Sequence, residues 1–333
     1  MTFFDTIADM KRKMHMFLVA AVAAALSVTA SDARPKKVLM IGNSFSVCVL
    51  KQLPQCAADA RCAIDIASLY IGGCPLKKHW NNVEKSADAD FTPYSFSYSY
   101  ASVKDAKDAP VASLGKRTNI PQALKADKWD VVTIQQASSG SPFPETYEPY
   151  AGKLIAAIRE HAPQAEIVIQ QTWSYTPYSK ALAKWNFDTW TMFTAAESAY
   201  SELAKRYGLR IIPTGYAVDL FRRKLPVKYG KILAGKEIAA IKKPGLVDFC
   251  GDVVGSSSWK KGRRNAKDAN EIKLRLDATH LNRDGEYLQA CTWLAVLCGY
   301  DVTKLKYAPE WLAPGRAALM RGCAAEAAAK YAK

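Results

Sequence analysis

Histidine is scarce in this sequence: four occur in 333 residues, and only His79, His161 and His280 lie beyond residue 33. Chemistry that needs an imidazole base therefore has few places to sit. No Cys-x-x-Cys pair occurs, so the zinc-ribbon and thioredoxin-like readings lack their motif and no metal is expected. Beyond Leu26 no segment is apolar enough to cross a bilayer, which takes about 20 residues. Long unbroken Lys/Arg runs are missing, as are internal repeats and any linker long enough to divide domains.

What is present is ordinary for a soluble globular protein: 49% apolar and 23% charged residues. The N-terminus is the exception. Lys11, Arg12 and Lys13 precede an apolar run from Met16 to Leu26, and Val28-Thr29-Ala30 and Ser31-Asp32-Ala33 both fit a small-x-Ala cleavage site. Residues 1–33 read as a secretory signal peptide, with Met10 an alternative start and an uncleaved anchor the alternative reading. The expected location is periplasmic or extracellular, with no stable membrane insertion after cleavage.

Export changes the meaning of the formal charge of +15. In a cytosolic chain it would suggest nucleic acid. Outside the cytoplasm no nucleic-acid partner is expected, and an anionic polysaccharide or a membrane surface fits the charge better. A solvated basic surface is the competing reading. The most compact basic stretch, Trp259-Lys260-Lys261-Gly262-Arg263-Arg264, reads as an exposed loop first and a substrate-steering patch second. Eight cysteines permit disulfides in an exported chain. Cys56 and Cys62 are close enough to bridge a short loop. Cys291 and Cys298 stand about 10 Å apart along a predicted helix, too far to bond.

Apolar runs alternate with amphipathic stretches. Strands are predicted at 37–41, 62–69, 130–135, 166–170 and 209–212, and helices after residue 42 to about 60, then at 150–161, 191–207, 283–297 and 309–331. Asn282 is the expected cap of the fourth helix, with Asp284 and Glu286 in its first turn. Strands separated by helices imply an α/β domain with a central parallel sheet and helices on both faces. Residues 34–333 read as one domain. Two segments break the pattern and read as insertions: 91–118, with an aromatic alternating stretch from Phe91 to Val103 suggestive of a hairpin, and the basic, Gly-rich 229–270, expected as loops near the site.

Ligands of a parallel sheet sit beyond the C-terminal ends of its strands. Ser44 follows the first strand directly, in Gly42-Asn43-Ser44-Phe45-Ser46, and opens the next helix, where free N–H groups face an incoming anion. A serine capping a helix is the bland alternative. Asp277-Ala278-Thr279-His280 strengthens the functional one. Its spacing of three lets a carboxylate in a turn meet the imidazole Nδ1–H, fixing the tautomer and leaving Nε2 free as a base. His161, at a helix end before Ala162-Pro163, suits a capping or exposed role. His79, near a second glycine turn, is open between a substrate pocket and a structural place.

The Gly-Asn-Ser-Phe-Ser and Asp-x-x-His blocks together resemble the first and last sequence blocks of the SGNH (GDSL-like) hydrolases, across nearly all of the chain after the leader. The resemblance implies a flavodoxin-like three-layer α/β/α sandwich and a serine esterase with no cofactor. Ser44 would be the nucleophile, His280 the base and Asp277 its orienter. An oxyanion-hole glycine is implied after the second strand, in Ile71-Gly72-Gly73-Cys74-Pro75, where Gly73 is the choice. The sequence departs from the family with Asn43 in place of Asp. It also lacks Gly-x-Asn-Asp after the 130–135 strand, where Gln135-Gln136-Ala137-Ser138-Ser139 stands. Gln136 would supply the third oxyanion donor beside the N–H groups of Ser44 and Gly73, with Ser138 the runner-up and a substrate-pocket candidate. Trp173 opens a run with Tyr175, Tyr178, Trp185 and Trp190 that suits stacking on sugar rings or packing in the core. The expected substrate is therefore a small-molecule or polysaccharide ester, with an O-acetyl group on a carbohydrate as the first choice. A lipase or thioesterase of the same fold and a non-catalytic glycan-binding protein are the alternatives.

Overall fold

The structure, a computed structural model, describes residues 34–225, 228–261 and 270–332. The signal-peptide reading of residues 1–33 lies outside them. Nine strands occur among the described residues, at β1 Lys36–Gly42, β2 Ile64–Tyr70, β3 Tyr94–Tyr100, β4 Arg117–Thr118, β5 Val131–Ile134, β6 Glu166–Gln170, β7 Arg210–Ile212, β8 Val254–Lys261 and β9 Ile272–Leu281. Seven form one sheet in the order β4-β3-β2-β1-β5-β6-β7. The five from β2 to β7 across β1 run parallel, with Met40 opposite Ser68 on one side and Thr133 on the other.

The central strand shows why this sheet forms. Val38, Leu39, Met40 and Ile41 are each at most 1% exposed, so both faces are covered. That is the continuous apolar run a buried parallel strand requires. Val38 and Met40 pack with the helices at 53–59, 214–224, 283–298 and 314–330. Leu39 and Ile41 pack with those at 120–125, 150–161 and 189–207 on the other face. The result is the three-layer α/β/α architecture the sequence implied.

The chain leaves β1 toward β2 on one side and later resumes at β5 on the other. In open parallel sheets ligands bind where the order reverses, which here is beyond the carboxyl ends of β1 and β5.

Two expectations need correction. Residues 91–118 are not a separate inserted hairpin. Their alternation, Tyr94, Phe96 and Tyr100 in and Ser95, Ser97 and Ser99 out, builds β3, which with β4 extends the main sheet antiparallel at its edge. Residues 229–270 are not all loop. They contain the helix Gly235–Ala240 and the strand β8, which pairs with β9 as a separate two-stranded ribbon.

A disulfide joins Cys62 to Cys298, with Cα atoms 6.6 Å apart. The short Cys56–Cys62 bridge does not form, and Cys56 and Cys291 are buried thiols. The bridge ties the start of β2 to the end of the 283–298 helix, which Asn282 caps by accepting from the Asp284 and Gly285 N–H groups. Among the described residues, no helix is long and apolar enough to cross a membrane.

Candidate active site

Strand β1 ends at Gly42, and Ser44 is the first residue of the helical turn Ser44–Val47. Gly42 is required by close approach: a Cβ there would lie 2.4 Å from Ser46 Oγ. Asn43 caps the turn, its Oδ1 accepting from the Phe45 N–H at 3.0 Å. Ser46 Oγ donates to the Asn43 carbonyl at 2.9 Å. Ser44 itself remains partly open to solvent.

Asp277 and His280 stand at the inner end of β9. Ser44 Oγ lies 2.8 Å from His280 Nε2, and His280 Nδ1 lies 2.8 Å from Asp277 Oδ2. An ionised carboxylate can only accept, so Nδ1 carries the proton, Nε2 is the acceptor, and the serine hydroxyl donates to it. The second carboxylate oxygen is also occupied. Asp277 Oδ1 accepts from the backbone N–H groups of His280 and Thr279, both at 3.0 Å, and from Thr279 Oγ1 at 3.1 Å. Partial burial pushes the Asp277 carboxyl up, but the bonds from the His280 side chain and these two N–H groups outweigh it and hold it well below its ordinary value. The acid therefore stays ionised at neutral pH.

The segment after β6 holds this loop from below. Trp173 Nε1 donates to the Thr279 carbonyl at 2.9 Å, and the Thr176 N–H to the Ala278 carbonyl at 3.0 Å. Phe45 stacks on Trp173 with ring centroids 4.3 Å apart and lies 5.1 Å from the His280 ring. Its carbonyl accepts from Gln170 and Gln289 at 2.6 and 2.9 Å. Trp173 is thus a support of the His280 loop. It is fully buried and offers no face to a sugar, so its expected substrate-stacking role is corrected. Of the other aromatics in that run, Trp190 is 55% exposed.

The Ile71–Cys74 turn stands beside Ser44, since Asn43 Nδ2 donates to the Cys74 carbonyl at 3.2 Å. The turn closes through the Cys74 N–H and the Ile71 carbonyl, 3.3 Å apart, and that bond uses neither glycine N–H. Gly73 is exposed and has φ of +60°, the left-handed conformation that favours glycine.

Gln136 is corrected as the third oxyanion donor. Its amide donates to the Thr146 carbonyl and Oγ1 at 2.9 and 3.0 Å, and its Oε1 accepts from the Leu76 and Ala137 N–H groups. A side chain with every polar atom engaged has no donor left for a substrate. Gln135 faces the nucleophile turn instead, its amide 2.6 Å from Asn43 Oδ1. The alternation along β5 made one glutamine face the turn, and sequence position suggested the wrong one.

Ser138 is buried and lies 2.7 Å from the Tyr175 hydroxyl. Tyr175 is pushed above its ordinary pKa by burial, against the Ser138 hydrogen bond, and the Asp277 charge adds to the rise. Ser138 and Tyr175 therefore form a polar wall near the acid. His79 is corrected as a substrate contact: it is fully buried, its Nδ1 2.8 Å from the Tyr94 hydroxyl. Burial, with Lys78 adding to it, pushes its pKa down to about 3, so it sits neutral in the core. Among the described residues, no group of three or more His, Cys, Asp or Glu side chains could hold a metal ion.

The family described as "Domain of unknown function (DUF4886)" matches residues 37–222. A crystal structure of a DUF4886 family protein from Bacteroides uniformis is 25% identical with a TM-score of 0.63, over 88% of this chain and 94% of that one. A protein from Slackia heliotrinireducens described as "a putative SGNH hydrolase" is 18% identical with a TM-score of 0.44, over 77% of this chain and 96% of its own. One described as "a putative GDSL-like lipase", from Parabacteroides merdae, is 13% identical with a TM-score of 0.39, over 88% and 95%. Comparison with curated proteins gives no match.

Proposed function

We propose that this chain, which belongs to the DUF4886 family, is an exported serine esterase that hydrolyses an O-acyl group, in first place acetyl, on a carbohydrate. The observation that carries the reading is the continuous chain Ser44–His280–Asp277, with both links at 2.8 Å. A glycan-binding protein would have no use for it. Export rests on the basic, apolar and small-residue order of residues 1–33.

In this reading Ser44 Oγ attacks the ester carbonyl carbon as its proton passes to His280 Nε2. Asp277, already an anion, stabilises the imidazolium and does not take the proton. The N–H groups of Ser44 and Gly73 face the developing oxyanion. His280 then returns the proton to the leaving sugar hydroxyl, and an acyl-serine remains. Water, deprotonated by the same Nε2, attacks that acyl carbon, and carboxylic acid leaves as Ser44 recovers its proton. The test is acetate release from acetylated xylan and from p-nitrophenyl acetate, with Ser44→Ala beside the wild type. Release by wild type alone supports the reading; equal release by both overturns it.

A further inference from the structure

The Cys62–Cys298 disulfide ties the chain just past the helix Leu53–Asp59 to the end of the helix Arg283–Cys298. Nearer the N-terminal ends of the same two segments there is a second tie. The Cys48 thiol donates to Gln289 Oε1 at 2.9 Å. These two ties bracket a third pair of positions. Cys56 lies between Cys48 and Cys62, and Cys291 lies between Gln289 and Cys298.

Both cysteines are fully buried, in the same apolar core. Their thiols meet there. The hydrogen bond to Cys291 is the first cause that raises Cys56 above its ordinary pKa, and burial is the second. Thiols that already touch need only a small closure of the sulfurs to become a bond, and the flanking ties hold the two backbones in place. A buried thiol pair is also shielded from other partners once the chain has folded.

We propose that Cys56 and Cys291 are a second disulfide site, closed during folding by exchange with a small or protein disulfide. The thiolate of one cysteine attacks a sulfur of the donor and releases the first donor thiol. The other cysteine attacks the resulting mixed disulfide, forms the Cys56–Cys291 bond and releases the second donor thiol. The donor takes up the two electrons and two protons that the cysteines lose. Both sulfurs lie out of reach in the folded chain, so exchange precedes closure of the core. This inference goes beyond the esterase reading and does not depend on it. It does bear on the site. The helix begins just past His280, and its Gln289 amide holds the Phe45 carbonyl beside Ser44. The Cys62–Cys298 bond fixes that helix at its end, and a bond at Cys291 fixes its middle.

The test is peptide mapping of the full chain folded in mixed reduced and oxidised glutathione, then alkylated and digested without reductant. A cross-linked Cys56–Cys291 peptide is expected beside the Cys62–Cys298 one. Alkylated, unbonded Cys56 and Cys291 in protein that carries the Cys62–Cys298 bond overturns the proposal, as does a bond from either to a different cysteine. Urea unfolding gives a second reading. In glutathione-folded protein, Cys56→Ala, Cys291→Ala and the double change are expected to lower the midpoint by the same amount, because each alone removes the bond. Losses that add in the double variant overturn it.

Discussion

The Gln135 amide donates to Asn43 Oδ1 across 2.6 Å, tying the end of β5 to the turn that presents Ser44. The same oxygen accepts from the Phe45 N–H, while Asn43 Nδ2 donates to the Cys74 carbonyl. Asn43 thus joins β1, β5 and the glycine turn through one buried side chain. Asparagine suits this place because a carboxylate could not donate to the Cys74 carbonyl. Asn43→Asp should cost about 1–3 kcal/mol. A urea unfolding midpoint equal to wild type would contradict the role.

Gln136 and Gln135 should behave differently. Gln136→Ala takes away the side-chain partner of the Leu76 N–H and of the Thr146 carbonyl. It should lower stability by about 1–3 kcal/mol and change kcat only a few-fold, far less than the ~10²–10³ lost with an oxyanion donor. Gln135→Ala, which loosens the nucleophile turn, should lower kcat the more of the two. Parallel denaturation and rate measurements settle the order, and the reverse order would return Gln136 to the oxyanion hole.

His79 gives a pH signature. Its folded pKa of about 3 lies below the ordinary 6.5, because burial, with Lys78 adding to it, disfavours the cation. The unfolded chain binds the proton first, so the stability this group contributes is full above pH ~6.5 and is lost as pH falls toward 3. At pH 5 the loss is about 2 kcal/mol. His79→Gln should flatten the stability curve between pH 7 and pH 5, measured by urea unfolding at each pH. An equally steep curve would show that other groups cause it.

The parts of the site legible in the sequence were those set by local rules. An apolar run ending in Gly42-Asn43-Ser44 states both a buried strand and an exposed turn. A carboxylate three residues before His280 states a pair that can meet without tertiary information. The parts missed depend on what other segments do. Nothing local says that Thr146 lies against Gln136, that Tyr94 covers His79, or that the indole of Trp173 points at the Thr279 carbonyl. The ribbon was missed because Trp259 to Lys261 reads as loop until β9 pairs with it, and pairing is a long-range event. Cys62 found Cys298 across 236 residues for the same reason.

Trp173 carries a further expectation. Trp173→Phe keeps the ring beside Phe45 but removes the donor to the Thr279 carbonyl. Looser placement of His280 should lower kcat about 10- to 100-fold, with KM little changed. A raised KM at unchanged kcat would instead mean that Trp173 touches substrate.

In the proposed reading Ser44 is an activated nucleophile, held against His280 Nε2. The most direct measurement is labelling with a fluorophosphonate, followed by mass spectrometry of the modified peptide. A single adduct is expected on Ser44, absent in Ser44→Ala and slowed strongly in His280→Ala. An adduct on another serine, or none on folded wild-type protein, would contradict it.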